Sequence, residues 1–580
     1  MAEPQVLAQQ PAPTTPTQPG PHGSQPRGLL ATPGSVSTTG RFGRMFRQLP
    51  VFSTKPESMV VLGASMLQAI TNNVLDEALG TPDDDENTSL LSNGEFRLPA
   101  GYTYFGQFVD HDITFDPVSS LELQNDPDGL TDFRTPRFDL DSLYGRGPMD
   151  QPYLYQADGL RLLEGDDIGP SGQKDLVRVQ VGDLRRAVIG DPRNDENKIV
   201  SQLQATFIRL HNRVVQWVID KEPELSLDPD RFKRAQQLVR WHYQWVVVED
   251  FLRRIVGDDP FAPGPGVVSD ILAPASFETS DGAHSLIRPR LQFFHPKVNP
   301  FMPVEFAVAA YRYGHSAIRP SYHINSFLEQ ALPQPRPVPG AAGVKSFRIP
   351  IFTNTPGGTD SLGGFQEVPG KWGVEWNFFL HMGAPVPNLP QPSYKIDTVI
   401  SHPLGAMPIR VTAPELLVQG FPPEVAQALP VRNLLRGLRL GLPAGEHVAL
   451  AMGLTPDPAI AITAATLQQP QTADLGISPE QIADAVNDFA GARQSPLWYY
   501  ILKEAELTSG QDSAGKPVIG AHLGPVGGRL VAETLIGLLV GDPLSFVRVQ
   551  PNWKPIFPRR DGTSKGAFTL ADLVTFALSP

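Results

Sequence analysis

Between Phe105 and Ile113 the chain reads Phe105-Gly106-Gln107-Phe108-Val109-Asp110-His111-Asp112-Ile113, which sets an amide, two carboxylates and an imidazole in an apolar frame. Polar groups that dense cost free energy to bury unless each finds a partner. On a helix Gln107, Asp110 and His111 fall at i, i+3 and i+4 and share one face, while Asp112 points elsewhere. One helical turn can therefore serve two sites. The imidazole face suits acid–base chemistry, because a neutral ring can take a proton and return it. The Asp112 face suits a hard cation.

Other stretches offer groups of the same kinds. Thr135-Pro136-Arg137-Phe138-Asp139-Leu140-Asp141 places oxygen donors at alternate positions. That spacing lets side chains and a backbone carbonyl wrap a cation, with Asp112 completing the shell from the helix; taken alone, it is also an ordinary Asp-rich turn. Arg193 and Glu196 stand in Gly190-Asp191-Pro192-Arg193-Asn194-Asp195-Glu196, just before a strongly periodic stretch. Alone, the segment reads as helix N-terminal chemistry, in which acids in the first turn complement the dipole. His315 ends Tyr311-Arg312-Tyr313-Gly314-His315 and alone reads as a satisfied core histidine. Asn433 and Arg436, in Arg432-Asn433-Leu434-Leu435-Arg436-Gly437, alone read as surface or capping groups.

The elements that must carry these residues are mainly helical. Apolar residues recur near the 3.6 period at Leu203, Phe207, Leu210, Val214 and Val218, predicting a helix over 199–221. Leu238, Trp241, Trp245, Val248 and Leu252 predict another over 231–256. Further helices are expected at 59–79, 103–113, 305–315, 414–440, 479–507 and 527–540, with loops at 83–87, 126–141 and 347–371. Strand signals are few and short. The fold class expected is mainly α, one large domain over 51–580 after a Pro/Gln/Thr-rich tail at 1–50 that cannot bury a core.

Composition narrows the chemistry. The chain has 580 residues, 41% hydrophobic and 19% charged, which suits a large globular core. With no cysteine, disulfides, zinc–thiolate sites, thiolate-ligated haem and iron–sulfur clusters are excluded, leaving 12 histidines and the carboxylates as metal ligands. A net charge of −13 argues against general nucleic-acid binding. No apolar run is long enough for a membrane span. The charged start and apolar block of a secretory signal are not seen. A cytoplasmic protein is therefore the default expectation, with export by a signal-less route left open.

Taken in order and spacing, these motifs resemble the animal-type haem peroxidase family, which shares its superfamily with cyclooxygenases and fatty-acid dioxygenases. The resemblance runs from about Val51 to Phe546 and rests on Gly106–Asp112, the loop 135–145 ending in Leu143-Tyr144-Gly145, Arg193-Asn194-Asp195-Glu196, Leu210-His211-Asn212-Arg213, Tyr313-Gly314-His315, Asn433-Leu434-Leu435-Arg436 and Leu523-Gly524-Pro525. The lack of cysteines gives it a bacterial look. The resemblance implies haem b as cofactor. His111 is then the distal histidine, Gln107 orders water or halide above the iron, and Arg193 is the distal arginine. His315 is the iron ligand, Asn433 its partner through the amide oxygen, and Arg436 lies near a propionate. Asp110 and Glu196 resemble the acids that form haem esters. Asp112, Thr135, Arg137 through its carbonyl, Asp139 and Asp141 resemble the ligands of a Ca²⁺ ion. Two departures stand out: Asn197 replaces the Met that forms a sulfonium link in some members, and Asp141 stands where Ser is frequent.

The expected function is oxidation of phenols, anilines or halides by hydrogen peroxide. Fatty-acid dioxygenation on the same scaffold is the alternative. It needs a radical-forming tyrosine three residues before the proximal histidine, a position held here by Arg312. A non-catalytic binding or adhesion protein is the second alternative. The sequence does not set the oligomeric state or the reducing substrate.

Overall fold

A computed structural model of the chain describes residues 40–579 apart from 69–97, 115–130, 133, 170–171, 183, 258–265, 273, 280–281, 288, 297–299, 329–335, 338–344, 347, 353–360, 384–389, 408–417, 419–420, 423–424, 426, 469–474, 512–516, 561 and 563–567. The longer helices among these residues are α1 (Pro56–Ser65), α2 (Ala100–Ile113), α3 (Lys198–Lys221), α4 (Asp228–Val246), α5 (Leu429–Arg439), α6 (Pro479–Ala492), α7 (Leu497–Leu507), α8 (Pro525–Gly541) and α9 (Leu570–Leu578). Strands are short and pair locally, as in the hairpins Arg178–Val181 with Leu184–Ala187 and Pro274–Thr279 with Gly282–Ile287. The expected mainly helical class with few short strands is what the structure has.

The core forms around α2 and α3. Helix α3 buries Leu203, Phe207, Leu210, Val214 and Val218, the predicted stripe, and its first turn is capped by Asn197, whose side chain accepts from Val200 N. Helix α2 is apolar nearly all round, with Tyr104, Phe105, Phe108 and Val109 buried, and such a helix belongs in an interior. Phe108 stacks on Phe207 of α3 with ring centroids 4.5 Å apart, and Phe105 meets Phe251 edge-on at 5.5 Å. His111 and Asp112 thus enter the protein interior on a helix already held from all sides. Helix α4 runs into a π-helical turn, Val247–Leu252, and then Arg253–Ile255, so the predicted single helix over 231–256 is continuous but widened once. That turn carries the buried Asp250, which accepts from Tyr102 Oη of α2 at 2.6 Å, Leu570 N of α9 at 2.8 Å and Arg254 Nε at 2.7 Å.

Several expectations need correction. Residues 40–50 are packed, not tail. Gly40–Gly43 pairs with Thr131–Asp132 and with Met302–Pro303, Glu305 accepts from Met45 N and Phe46 N, and Arg44 donates to Leu440 O and Gly441 O. The low local hydropathy of that stretch is offset by hydrogen bonds to remote partners. The helix expected over 305–315 splits into Val304–Ala307 and a tighter 3₁₀ turn, Ala310–His315, because Ala309 leaves helical geometry at φ −127° and ψ −72°. The helix expected over 479–507 is two, α6 and α7, parted by Arg493 at φ +50° and by Pro496. Of the helix expected over 59–79, α1 covers only the start; 69–79 and the acidic loop 83–87 lie outside the described residues, as do 414–417, 419–420, 423–424 and 426 of the stretch 414–440, whose helix begins only at Leu429.

Asp250 is the polar staple between α2, the π turn and α9. Asp250→Ala is expected to lower unfolding stability by about 3 kcal/mol, since a buried carboxylate and its donors lose one another. A urea midpoint equal to wild type would contradict this role.

Candidate functional site

The first wall of the site is built on the last turn of α2. His111 is buried, and its Nδ1 lies 2.8 Å from Asn194 Oδ1. Asn194 Nδ2 donates to Gln204 Oε1 at 2.9 Å, so the amide oxygen faces the ring and Nδ1 carries the ring proton. His111 Nε2 is left as a lone-pair base, 3.9 Å from Glu196 Oε2. Burial, reinforced by the Arg193 guanidinium, pulls the ring down to about 3, so this contact is not an ion pair at ordinary pH. Gln107 Nε2 donates to Glu196 Oε2 at 3.2 Å, and Gln107 Oε1 accepts from Asn197 Nδ2 at 2.9 Å. Gln107, His111 and Glu196 therefore surround one volume.

Glu196 has an informative combination of properties. Its side chain is 37% exposed, yet burial lifts its carboxyl to about 7, against the opposing pull of Arg193. Glu196 is thus partly reached by solvent while closely surrounded by protein. Asp110, half-buried, is also raised by burial, while Arg193 and Arg312 pull the other way.

Arg193 is held by Asp191. Asp191 Oδ1 accepts from Arg193 N at 2.9 Å and Nε at 3.2 Å, and Oδ2 from Nη2 at 2.9 Å. Arg193 Nη2 also donates to His111 O at 2.9 Å and to Thr114 O. The guanidinium thus closes the end of α2. Burial opposes ionisation of Asp191, but Arg134 and then Arg193 outweigh it and hold the carboxyl well below its ordinary range.

On the opposite face of α2, Asp112, Asp139 and Asp141 each bring a carboxylate oxygen within 4.8 Å of the others. Asp112 Oδ2 is buried without a hydrogen bond of good geometry, with the hydroxyl of Tyr243 beside it. Burial, then Asp139 and Asp141, push Asp112 well above its usual range, and burial lifts Asp141 to about 7 against Arg134. Three carboxylates this close, one with an oxygen lacking a well-formed hydrogen bond, fit a divalent cation. Thr135 Oγ1 donates to Asp139 Oδ2 at 2.6 Å, and Arg137 N donates to Thr135 O at 2.7 Å, so these loop residues sit at the same place. Gly190 permits the loop to meet Asp191, since a Cβ there would stand 2.3 Å from Ser142 O.

The second wall comes from the 3₁₀ turn Ala310–His315 and from α5. Asn433 Nδ2 lies 2.8 Å from His315 Nδ1, and Arg312 Nη1 donates to Asn433 Oδ1 at 2.6 Å. The amide is thus turned opposite to the expected orientation. A guanidinium can only donate, so it claims the amide oxygen, and the amide N–H donates to Nδ1. Burial, then the charge of Arg436, lowers Arg312 to about 9, with Arg432 acting the same way and Asp110 opposing. Arg312, Arg432 and Arg436 therefore cluster with like charges facing, an arrangement that fits anionic groups of a ligand. A Cβ on Gly314, beside His315, would meet nothing within 4 Å.

The two walls face each other. Tyr311 Oη donates to Gly106 O at 3.2 Å, and Arg312 lies close enough to Asp110 to lower its pKa. Gln107, Asp110, His111, Arg193 and Glu196 form one cluster, His315, Asn433 and Arg436 the other, and Asp112 with Thr135, Arg137, Asp139 and Asp141 of the loop 135–141 a third beneath the first.

Residues 122–346 match the animal haem peroxidase family. The match includes the acidic loop, Arg193, Glu196 and His315, but not His111 or Asn433, which enter by geometry. Over these residues the chain is similar to that family. A dual oxidase of Drosophila melanogaster is 27% identical over 139 residues, 24% of this chain and 7% of that protein's length. Among solved structures, peroxidase A of Dictyostelium discoideum superposes with a TM-score of 0.54 at 14% identity, over 93% of this chain and 92% of that one. A fatty acid alpha-dioxygenase of Oryza sativa gives 0.48 at 13% identity, over 84% and 72%. The first likeness shows the shared fold.

Sequence reasoning missed Asn194, Gln204, Asp191, Arg134 and Arg312 as site residues. Asp191 and Asn194 had one available signal, their places beside Arg193 in 190–196, and Arg312 its place three residues before His315; Gln204 and Arg134 are defined only by remote contacts.

Asp191→Asn is expected to cost about 3–5 kcal/mol, because two guanidiniums lose their buried counter-charge. Since the folded carboxyl is depressed, its contribution is present above the unfolded Asp value near ~3.9 and fades as pH falls below it. Denaturation of both proteins between pH 7 and pH 3 checks this. A gap that widens on acidification would contradict it.

Proposed function

We propose that the chain is a haem peroxidase that uses hydrogen peroxide to oxidise small organic donors, such as phenols and anilines, or halides. The observation that carries this reading is the pairing of walls: a neutral, oriented imidazole at His111 with Arg193 beside it, opposite a second imidazole at His315 oriented by Asn433. Haem b fits the residues present. His315 would bind the iron through Nε2 with the ring proton on Nδ1, which requires the Asn433 amide to turn its oxygen from Arg312 to that proton; Arg436 and its neighbouring guanidiniums would meet propionates, and Asp110 and Glu196 would form ester links at the periphery. When bound, the group supplies a redox-active iron at which peroxide is reduced.

The chain's own residues supply the proton chemistry. His111 Nε2 accepts the proton of one peroxide oxygen and returns it to the other, and Asn194 keeps the second ring nitrogen protonated so that Nε2 is always the base. Arg193 adds a fixed positive charge near that ring, where negative charge grows on the leaving oxygen. Gln107, held between Glu196 and Asn197, would order a water or halide. Asn433 fixes the ring of His315. A Ca²⁺ ion held by Asp112, Asp139 and Asp141, with Thr135 and the Arg137 carbonyl, would pin the backbone that carries His111.

Dioxygenation of fatty acids is disfavoured by Arg312. It occupies the position such enzymes give to a radical tyrosine, and it is committed to Asn433.

Haem-reconstituted protein should oxidise guaiacol or bromide with added peroxide, and His111→Ala should slow the peroxide reaction by roughly 10²–10⁴. Oxygen uptake with linoleate and no peroxide would point to the dioxygenase instead, and failure to take up haem to a non-catalytic protein.

Chelation of a bound divalent ion should shift the Soret band as well as lower the melting temperature, because Asp112 and His111 share one helical turn. Asp112→Asn should weaken Ca²⁺ binding by roughly tenfold or more. A cation-free protein with an unchanged Soret band contradicts the coupling.

A further inference from the structure

The buried guanidinium of Arg134 belongs to neither site alone. It is 6% exposed and lies between the acidic loop and the Arg193 segment. Arg134 Nη1 donates to Asp141 Oδ1 at 2.9 Å, Nε to Asp191 Oδ2 at 3.0 Å, and Nη2 to Asp191 Oδ2 and, at 3.3 Å, to Gly190 O. Asp191 in turn holds Arg193 through both carboxylate oxygens, and Arg193 reaches the backbone of His111. A continuous chain of charge-assisted hydrogen bonds therefore runs Asp141–Arg134–Asp191–Arg193–His111. It is separate from the covalent route through Asp112 and His111.

We propose that Arg134 is a positioning residue that couples the acidic loop to the peroxide-facing guanidinium: it fixes Asp191, and through it the place of Arg193, while offsetting the charge of Asp141. This rests on the peroxidase reading of Arg193 given above. Two opposed consequences follow. Arg134 weakens cation binding at the loop, because its positive charge stands against one of the three carboxylates. It also promotes the peroxide reaction, because Asp191 without Arg134 has Arg193 as its remaining close cation and is freer to shift with it. A misplacement of about 1 Å can cost roughly 10²-fold in rate.

The test uses the full chain. Calcium alone is titrated calorimetrically into metal-depleted wild type, Arg134→Gln and Arg134→Lys. The second-order rate of the Soret change on mixing with peroxide is then measured for the haem-bound, calcium-saturated proteins. Arg134→Gln should bind calcium roughly tenfold more tightly and react with peroxide roughly 10²-fold more slowly. Arg134→Lys keeps the charge but cannot span Asp141 and Asp191 with a planar fork. It should therefore keep near-wild-type calcium affinity and still react slowly, and it serves as the variant closest to native folding. Weaker calcium binding together with a slower reaction would make Arg134 a general structural residue and overturn the proposal, as would two unchanged parameters. A wild type inert to peroxide overturns the functional reading itself, and is recognised by failing before any variant is compared.

Discussion

The structure depends on burying a turn that is costly to bury. Helix α2 is apolar on nearly every side, yet its last turn carries Asp110, His111 and Asp112 into the interior. Each of these groups loses hydration there, and an unpaired buried polar group costs about 1–3 kcal/mol. Partners arrive from Thr114 next to the turn, from the segment 193–194 and from Arg312. Asn194 takes the imidazole N–H, Thr114 and the nearby guanidiniums answer Asp110, and Arg193 closes the backbone at the end of the turn. Asp112 alone keeps an oxygen without a well-formed hydrogen bond, and it is the one whose neighbours are also carboxylates.

The same accounting explains why the site faces two ways. On one side, burial and a guanidinium keep an imidazole neutral, the state needed in a base. On the other, burial and like charge raise Asp112 and Asp141, so that side carries carboxylates that disfavour one another's ionisation. Asp191 stands between them with two arginines and stays ionised. One helical turn thus separates a neutral environment from an anionic one over the width of a backbone.

The second wall shows how a donor-only group sets the state of its neighbours. Arg312 takes the oxygen of Asn433, and the amide then presents its N–H to His315. Arg312 also lies beside Arg432 and Arg436, with Asp110 as the opposing charge across the cleft. Repulsion among these three cations is a reason for the cleft to favour an anionic ligand.

Much of the fold was legible in the sequence wherever a periodic apolar stripe was long enough. Helix α3 shows the predicted residues buried, and α4 departs from expectation only in its π turn. Short segments were not legible in this way. The turn at Ala309 and the break at Arg493 depend on backbone angles that no apolar spacing reports, and residues 40–50 are ordered by Glu305 and by Leu440 and Gly441, far away in the chain. The sequence by itself determined the chemical types available, the shared face of Gln107, Asp110 and His111, and the exclusion of thiolate chemistry, because these follow from composition and helical geometry. Only the tertiary structure decided that Asn194 and not a carboxylate orients His111, that Asn433 turns its oxygen to Arg312, and that Arg134 links the acidic loop to Arg193. Those choices depend on which donor meets which acceptor after distant segments pack, and linear spacing carries no record of that.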